Sequence, residues 1–202
     1  MQSVDLGQNC VTKPVRKETD RRNRKTKALF KSTLMELLME MDLKDITVSL
    51  LTDRADVNRG TFYLHYKDIY DLFDQVETEL LEDFTNVIAK HKEQQEVFAL
   101  PAMVDTFQFI ATNAEFFIAI LRTKETSFFA KLIEMNKPQN KDEWRKLVGN
   151  TKEGYYEYCY TFITSGAYAM LSRWFSEGMP ESPERMAELA VGMMKNCVQG
   201  LI

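Results

Sequence analysis

The 202-residue sequence predicts an all-α protein: a three-helix helix-turn-helix domain at the N-terminus, joined to a larger helical domain. Three observations carry that expectation. Apolar residues recur at helical spacing along most of the chain. Short polar breaks holding capping residues or proline separate these stripes. Strand-like alternation is weak throughout, and no internal repeat or long low-complexity tract interrupts the pattern. Apolar residues make up 45% and charged residues 28%, an ordinary globular composition on a chain long enough to bury a core.

Taken in order, residues 1–20 are polar and aperiodic and are expected to form a flexible basic extension. A first helix is expected near Arg21, with Phe30, Leu34, Leu37, Leu38 and Met41 as its apolar stripe. The segment "MDLKDIT" ends it. Thr47 is placed to N-cap a second helix with Val48, Leu51 and Ala55 inward. "ADVN" breaks that helix, and Asn58 caps a short third one, expected over Arg59–Tyr66. Val57 and Phe62 flank the cap as a hydrophobic staple. Asp68 caps a fourth helix running through Leu72, Phe73, Val76, Leu80 and Phe84 toward Lys90.

The polar run "KHKEQQE" marks a boundary, and Pro101 opens the next helix. "NAEFFIAILR" and "FFAKLIEM" read as two further helices, and the stretch around Pro138 reads as a loop. A long apolar helix is expected from Tyr155 to about Glu177, and Ser182 caps a last one. The organisation is therefore an extension over 1–20, a helix-turn-helix domain over 21–68 and a helical domain over 69–202.

Charge and composition exclude several classes. The net charge of −4 divides into +3 through residue 70 and −7 beyond it. Nine basic and two acidic residues crowd into Thr12–Lys31. Such a segment is either a solvated tail or a contact for a polyanion. Three cysteines without a C-x-x-C pair argue against a disulfide framework or a zinc ribbon, and two histidines are too few for a multi-histidine metal site. No cofactor is expected. No apolar run reaches bilayer length and no secretory leader is visible, so a cytoplasmic location without a membrane partner is expected. No nucleophile elbow, P-loop or dinucleotide fingerprint appears, so the chain is not expected to be an enzyme.

The stretch "TVSLLTDRADVNRGTFYLHYKDIYDLF" carries the functional signal. Helix, three-residue turn and helix form a helix-turn-helix, whose second helix enters the DNA major groove. With Val57, Phe62 and Tyr66 facing the core, Arg59, Gly60, Thr61, Tyr63 and His65 project outward. Gly60 removes a side chain so that the backbone approaches closely. Arg59 and Thr61 reach base edges or phosphates; Tyr63 and His65 suit phosphate oxygens, and Lys67 adds charge. Thr47 offers a hydroxyl, Asn58 lies at the helix start, and Arg22 and Lys25 supply cations from the first helix. The alternative for His65 is a buried core histidine; its neighbours Tyr63 and Lys67 favour the outward reading.

This stretch resembles the DNA-binding signature of TetR-family transcriptional regulators. The resemblance rests on Thr47, Ala55, Gly60, Thr61, Phe62, Tyr63, His65, Tyr66 and Lys67, and spans about 45 residues with the first helix. Leu64 departs from it, standing where the family often has an aromatic residue. Further on, "SFFAKLIE" and "EYCYTFITSGAYAMLSRWFSEGMPESPERMAELA" look like the branch containing the regulator of dihydroxyacetone kinase genes. The resemblance implies a homodimer whose last two helices pair into a four-helix bundle, with Gly166, Met170, Trp174 and Met193 as interface candidates. Each of these residues serves equally well in a subunit core; as a unit the helix pair favours the interface. The resemblance also implies a cavity for a small-molecule effector of unknown identity. Phe107, Phe117, Phe128, Tyr155, Cys159 and Phe162 are wall candidates, although aromatics at helical spacing are usually core. The implied function is a regulator, most often a repressor, binding a near-palindromic double-stranded DNA operator. The alternative is an activator or coregulator of the same fold acting through a protein partner.

Overall fold

The computed structural model describes residues 15–91, 99–123, 128–135, 137, 142 and 155–199. The expectations for residues 1–14, for most of "KHKEQQE", for the loop around Pro138 and for Cys10 lie outside these. The order of elements is α1 (Val15–Glu40), a 3-10 turn (Leu43–Asp45), α2 (Val48–Arg54), α3 (Arg59–Tyr63), α4 (Ile69–Ala89), α5 (Leu100–Thr112), α6 (Ala114–Arg122), α7 (Phe128–Met135), α8 (Tyr156–Ser176) and α9 (Pro183–Gln199). There is no strand among the described residues. No single helix among them is long and apolar enough to cross a membrane.

Two boundaries differ from the sequence reading. α1 begins at Val15, within the segment expected to be an extension; no glycine or proline interrupts the chain from there to Glu40. α3 is regular through Tyr63 instead of Tyr66; Leu64 is its C-cap and still keeps helical angles, φ −72° and ψ −19°, before the chain passes to the cap of α4.

The caps act as local chemistry demands. Thr47 Oγ1 accepts from the Leu50 N–H at 3.1 Å, Asn58 Oδ1 from the Gly60 N–H at 2.7 Å, and Asp68 Oδ1 from the Asp71 N–H at 2.8 Å. α2 ends with Asp56 in the left-handed region at φ 51°. The Val57 N–H reaches back to the Thr52 carbonyl at 3.0 Å and the Asp56 N–H to that of Asp53 at 3.3 Å. This paired arrangement satisfies carbonyls that the end of α2 would otherwise orphan.

One core runs through both halves. Phe30, Leu34, Leu37, Leu51, Phe62 and Leu72 fill the N-terminal end; Phe107, Phe117, Ile120, Phe128, Trp174 and Ala187 belong to the same contiguous cluster. α4 joins the two ends, α1 packs on α6 as well as on α2 and α4, and α5 lies along α9. Within this core Glu77 is 2% exposed, with Lys131 Nζ of α7 at 3.7 Å from its carboxylate. His91 Nε2 lies 2.9 Å from Asp105 Oδ2 and ties the end of α4 to α5.

Candidate nucleic-acid interface

α3 is held rigidly from behind. Phe62 is fully buried, with ring centroids of Phe30 at 5.4 Å and Tyr66 at 5.5 Å. Val57 packs against the same core. The opposite side of this short helix is open. Arg59, Gly60, Tyr63 and Lys67 are exposed, and Thr61 and His65 are half-buried. Thr47 and Asn58 are exposed beside them. Arg22 and Lys25 are exposed on α1.

Gly60 has a structural reason besides close approach. A Cβ there would meet Asn58 Oδ1 at 3.1 Å, so a side chain would crowd the oxygen that caps α3. Arg59 extends back across the turn and donates to Ser49 Oγ on α2. Burial, reinforced by the Lys27 ammonium, pushes the His65 imidazole below its ordinary value, which favours its neutral form. Burial also pushes the Tyr66 phenol up to about 12, with Glu79 and Asp71 adding to it.

Three neighbours were not among the candidates. Lys27 lies 5.8 Å over the Tyr66 ring and acts electrostatically on His65. Its spacing from Phe30 places it at the edge of the core stripe, a signal readable in the sequence. Ser49 holds the Arg59 guanidinium. Leu64 is 80% exposed directly beside Tyr63.

Two hollows mark the C-terminal half. A cavity of about 260 Å³ lies between α4, α5, α7, α8 and α9, with Phe84, Met103, Phe107, Phe129, Tyr160 and Met194 among its walls. Among the described residues no charged side chain lines it. Its Thr106 and Thr164 hydroxyls already donate within their own helices, and the Tyr160 hydroxyl donates to the Ile133 carbonyl. A groove of about 290 Å³ lies between α8 and α9, lined by Phe162, Gly166, Met170 and Met193.

The wall candidates therefore separate. Phe107 lines the cavity. Phe117 and Phe128 do not: they are at most 1% exposed and pack on each other with ring centroids 5.7 Å apart. Cys159 is buried in a small cluster with Tyr156, Tyr160 and Ile163. Tyr155 and Phe162 are 50% and 67% exposed, outside the cavity. Among the interface candidates, Gly166, Met170 and Met193 line the groove. Trp174 is core instead: it is 3% exposed, packs on Phe107, and donates its indole N–H to the Glu181 carbonyl at 3.0 Å.

Comparison with known proteins bears on the fold. Residues 99–196 match a TetR-type family described as "Transcriptional regulator C-terminal region". The uncharacterised HTH-type transcriptional regulator YxbF of Bacillus subtilis (strain 168) is 23% identical over 171 residues, covering 80% of this chain. The chain spans 42% of the length of that relative. A TetR transcriptional regulator from Streptococcus agalactiae 2603V superposes with a TM-score of 0.62 over 89% of this chain and 98% of its own, at 20% identity. The dihydroxyacetone kinase operon activator DhaS gives 0.55 over 87% of this chain and 97% of its own, at 13% identity. The fatty acid degradation regulator FadR of Bacillus halodurans gives 0.54 over 83% and 93%, at 14% identity. These likenesses establish the fold.

Proposed function

We propose that the chain, whose residues 99–196 match the TetR-type C-terminal region and whose fold matches that of TetR regulators, is a TetR-family homodimer that binds a near-palindromic DNA operator and releases it in response to a small effector. One observation carries this reading. α3, capped at Asn58 and anchored by buried Phe62, presents Arg59, Gly60, Thr61 and Tyr63 on its unpacked side, with Lys67 exposed just beyond its end. A five-residue helix has no stability of its own, so a core that fixes it while leaving polar groups outward suits docking into a major groove. The exposed Arg21, Arg22, Arg24 and Lys25 of α1 would supply phosphate neutralisation.

The groove between α8 and α9 supports the dimer. Phe162 and Met193 are 67% and 61% exposed on either side of it, and Gly166 leaves open space for a facing helix. Pairing this face with its copy would bury them, as a two-fold symmetric contact requires. Repression would follow from occupancy of the operator.

Selection of duplexes from a random pool tests the reading. The expected winner is an inverted repeat with half-sites about one or more helical turns apart, bound with an affinity that falls steeply with salt. A folded dimer that enriches no sequence would refute operator binding. It would move the assignment to a regulator acting through a protein partner.

A further inference from the structure

We propose that Leu64 is a specificity-determining residue that reads the 5-methyl group of a thymine in the operator major groove; this rests on the docking of α3 proposed above. Among the described residues Leu64 is the most exposed large apolar side chain, at 80%. Its backbone keeps helical angles, φ −72° and ψ −19°, so it continues the winding of α3. Two residues of helix place it about 160° around the axis from buried Phe62, pointing away from the core. Gly60 lies about one turn earlier and about 40° away on the same face, with no side chain to hold a docked surface off.

Chemistry narrows what such a residue does there. A leucine neither accepts nor donates, so it contributes nothing to phosphate contacts and nothing to the hydrogen-bond pattern of base edges. The one apolar group that DNA presents in its major groove is the thymine methyl. Around Leu64 stand the groups that bind the rest of a groove: Tyr63, 59% exposed, and Arg59, Thr61 and His65. An apolar centre within a polar rim is how a recognition surface excludes water from a specific contact.

Methyl deletion on each side of the contact tests the assignment. In the selected operator each thymine is replaced in turn by deoxyuridine, which removes only the methyl. Wild-type protein is expected to lose about fourfold in affinity per half-site at one position, and about fifteenfold when both half-sites are changed. Leu64→Ala is expected to bind the thymine and deoxyuridine operators equally, both at the weakened level. Its urea midpoint stays at the wild-type value because the side chain is solvent-exposed. If Leu64→Ala keeps the wild-type sensitivity to deoxyuridine at every position, or no position is sensitive, the assignment is overturned. Arg59→Ala and Tyr63→Ala separate the two failures. If both bind operator as tightly as wild type, α3 is not the docking helix and the Leu64 proposal falls with it. If they weaken binding while Leu64→Ala binds like wild type, the docking stands and only the role of Leu64 is refuted.

Discussion

A double-mutant cycle between Asn58 and Gly60 isolates what the start of α3 contributes. Gly60 is helical, and alanine at an ordinary helical position is favoured over glycine by about 1 kcal/mol. Here the new methyl would lie 3.1 Å from the oxygen that accepts the 2.7 Å bond from the Gly60 N–H. Relieving that crowding weakens an N-cap worth about 1 kcal/mol. Gly60→Ala alone is therefore expected to change the unfolding free energy by less than about 0.5 kcal/mol, the two effects offsetting each other. Asn58→Ala alone costs about 1 kcal/mol. In that background no cap remains to disturb, and Gly60→Ala recovers most of the loss. The coupling energy is about 1 kcal/mol, well above the scatter expected of independent sites.

Urea denaturation at one fixed protein concentration measures all four corners. If Gly60→Ala stabilises equally with and without Asn58, the cap oxygen does not feel the methyl and the reasoning fails. The same variant reports on DNA. A methyl forced into a closely packed protein–DNA contact is expected to weaken operator binding about tenfold without loss of stability. Undiminished affinity would refute close approach of the Gly60 backbone.

Four other outcomes are expected. Tyr66→Phe raises stability by about 1 kcal/mol in urea denaturation, because the Tyr66 hydroxyl is buried without a partner; a loss of stability would contradict that. Asp56→Gly also stabilises, by about 1 kcal/mol, since Asp56 holds φ 51° against its own Cβ; an unchanged midpoint would show the turn to be unstrained. The depressed His65 pKa means the folded state resists protonation, so stability declines as pH falls through the ordinary imidazole value of about 6.5. A bound phosphate reverses that preference. Operator affinity should then rise more steeply from pH 7.5 to 6 for wild type than for His65→Gln, and Lys27→Gln should move the imidazole titration upward by NMR; identical pH slopes for wild type and His65→Gln would remove phosphate contact. Phe162→Glu and Met193→Glu each dissociate the proposed dimer in sedimentation while helicity is kept, whereas Trp174→Ala unfolds the subunit by about 3–5 kcal/mol; a dimer that survives both glutamates would place the interface elsewhere.

The sequence made some of this legible and hid the rest for physical reasons. Thr47, Asn58 and Asp68 were readable because a cap is a local contract between one side chain and an N–H two or three residues on. The inward Phe62 and outward Tyr63 followed from the same register. The left-handed Asp56 was not readable, since an aspartate there does not announce itself as a glycine would. Nor does an aromatic at helical spacing reveal which neighbour it meets. Phe128 and Phe162 look alike in sequence, yet one is fully buried against Phe116 and Phe117 and the other is 67% exposed on the groove. Trp174 turned inward because its indole found the Glu181 carbonyl beyond the end of α8. Such choices depend on tertiary partners, which a helical period does not encode.

Control of DNA binding by the proposed effector needs a body that both sites feel, and α4 has that character. Ile69, Leu72 and Phe73 are buried at its start in the core that also holds Phe30 and Phe62, while Phe84 and Ile88 near its end line the cavity. The eleven residue steps from Phe73 to Phe84 put the two ends about 16 Å apart along one helix. A molecule displacing the Phe84 ring would therefore tilt the element on which the N-terminal helices pack. A second contact limits the response: α1 also rests on α6, so the head is held at two places. Because apolar packing is non-directional, α1 can slide on α6 by a small shear while its buried area is kept, whereas separating them would expose it. The motion this favours is a rotation of each head about the α1–α6 contact. In a dimer, that rotation changes the distance between the two copies of α3, the quantity a fixed spacing of half-sites measures.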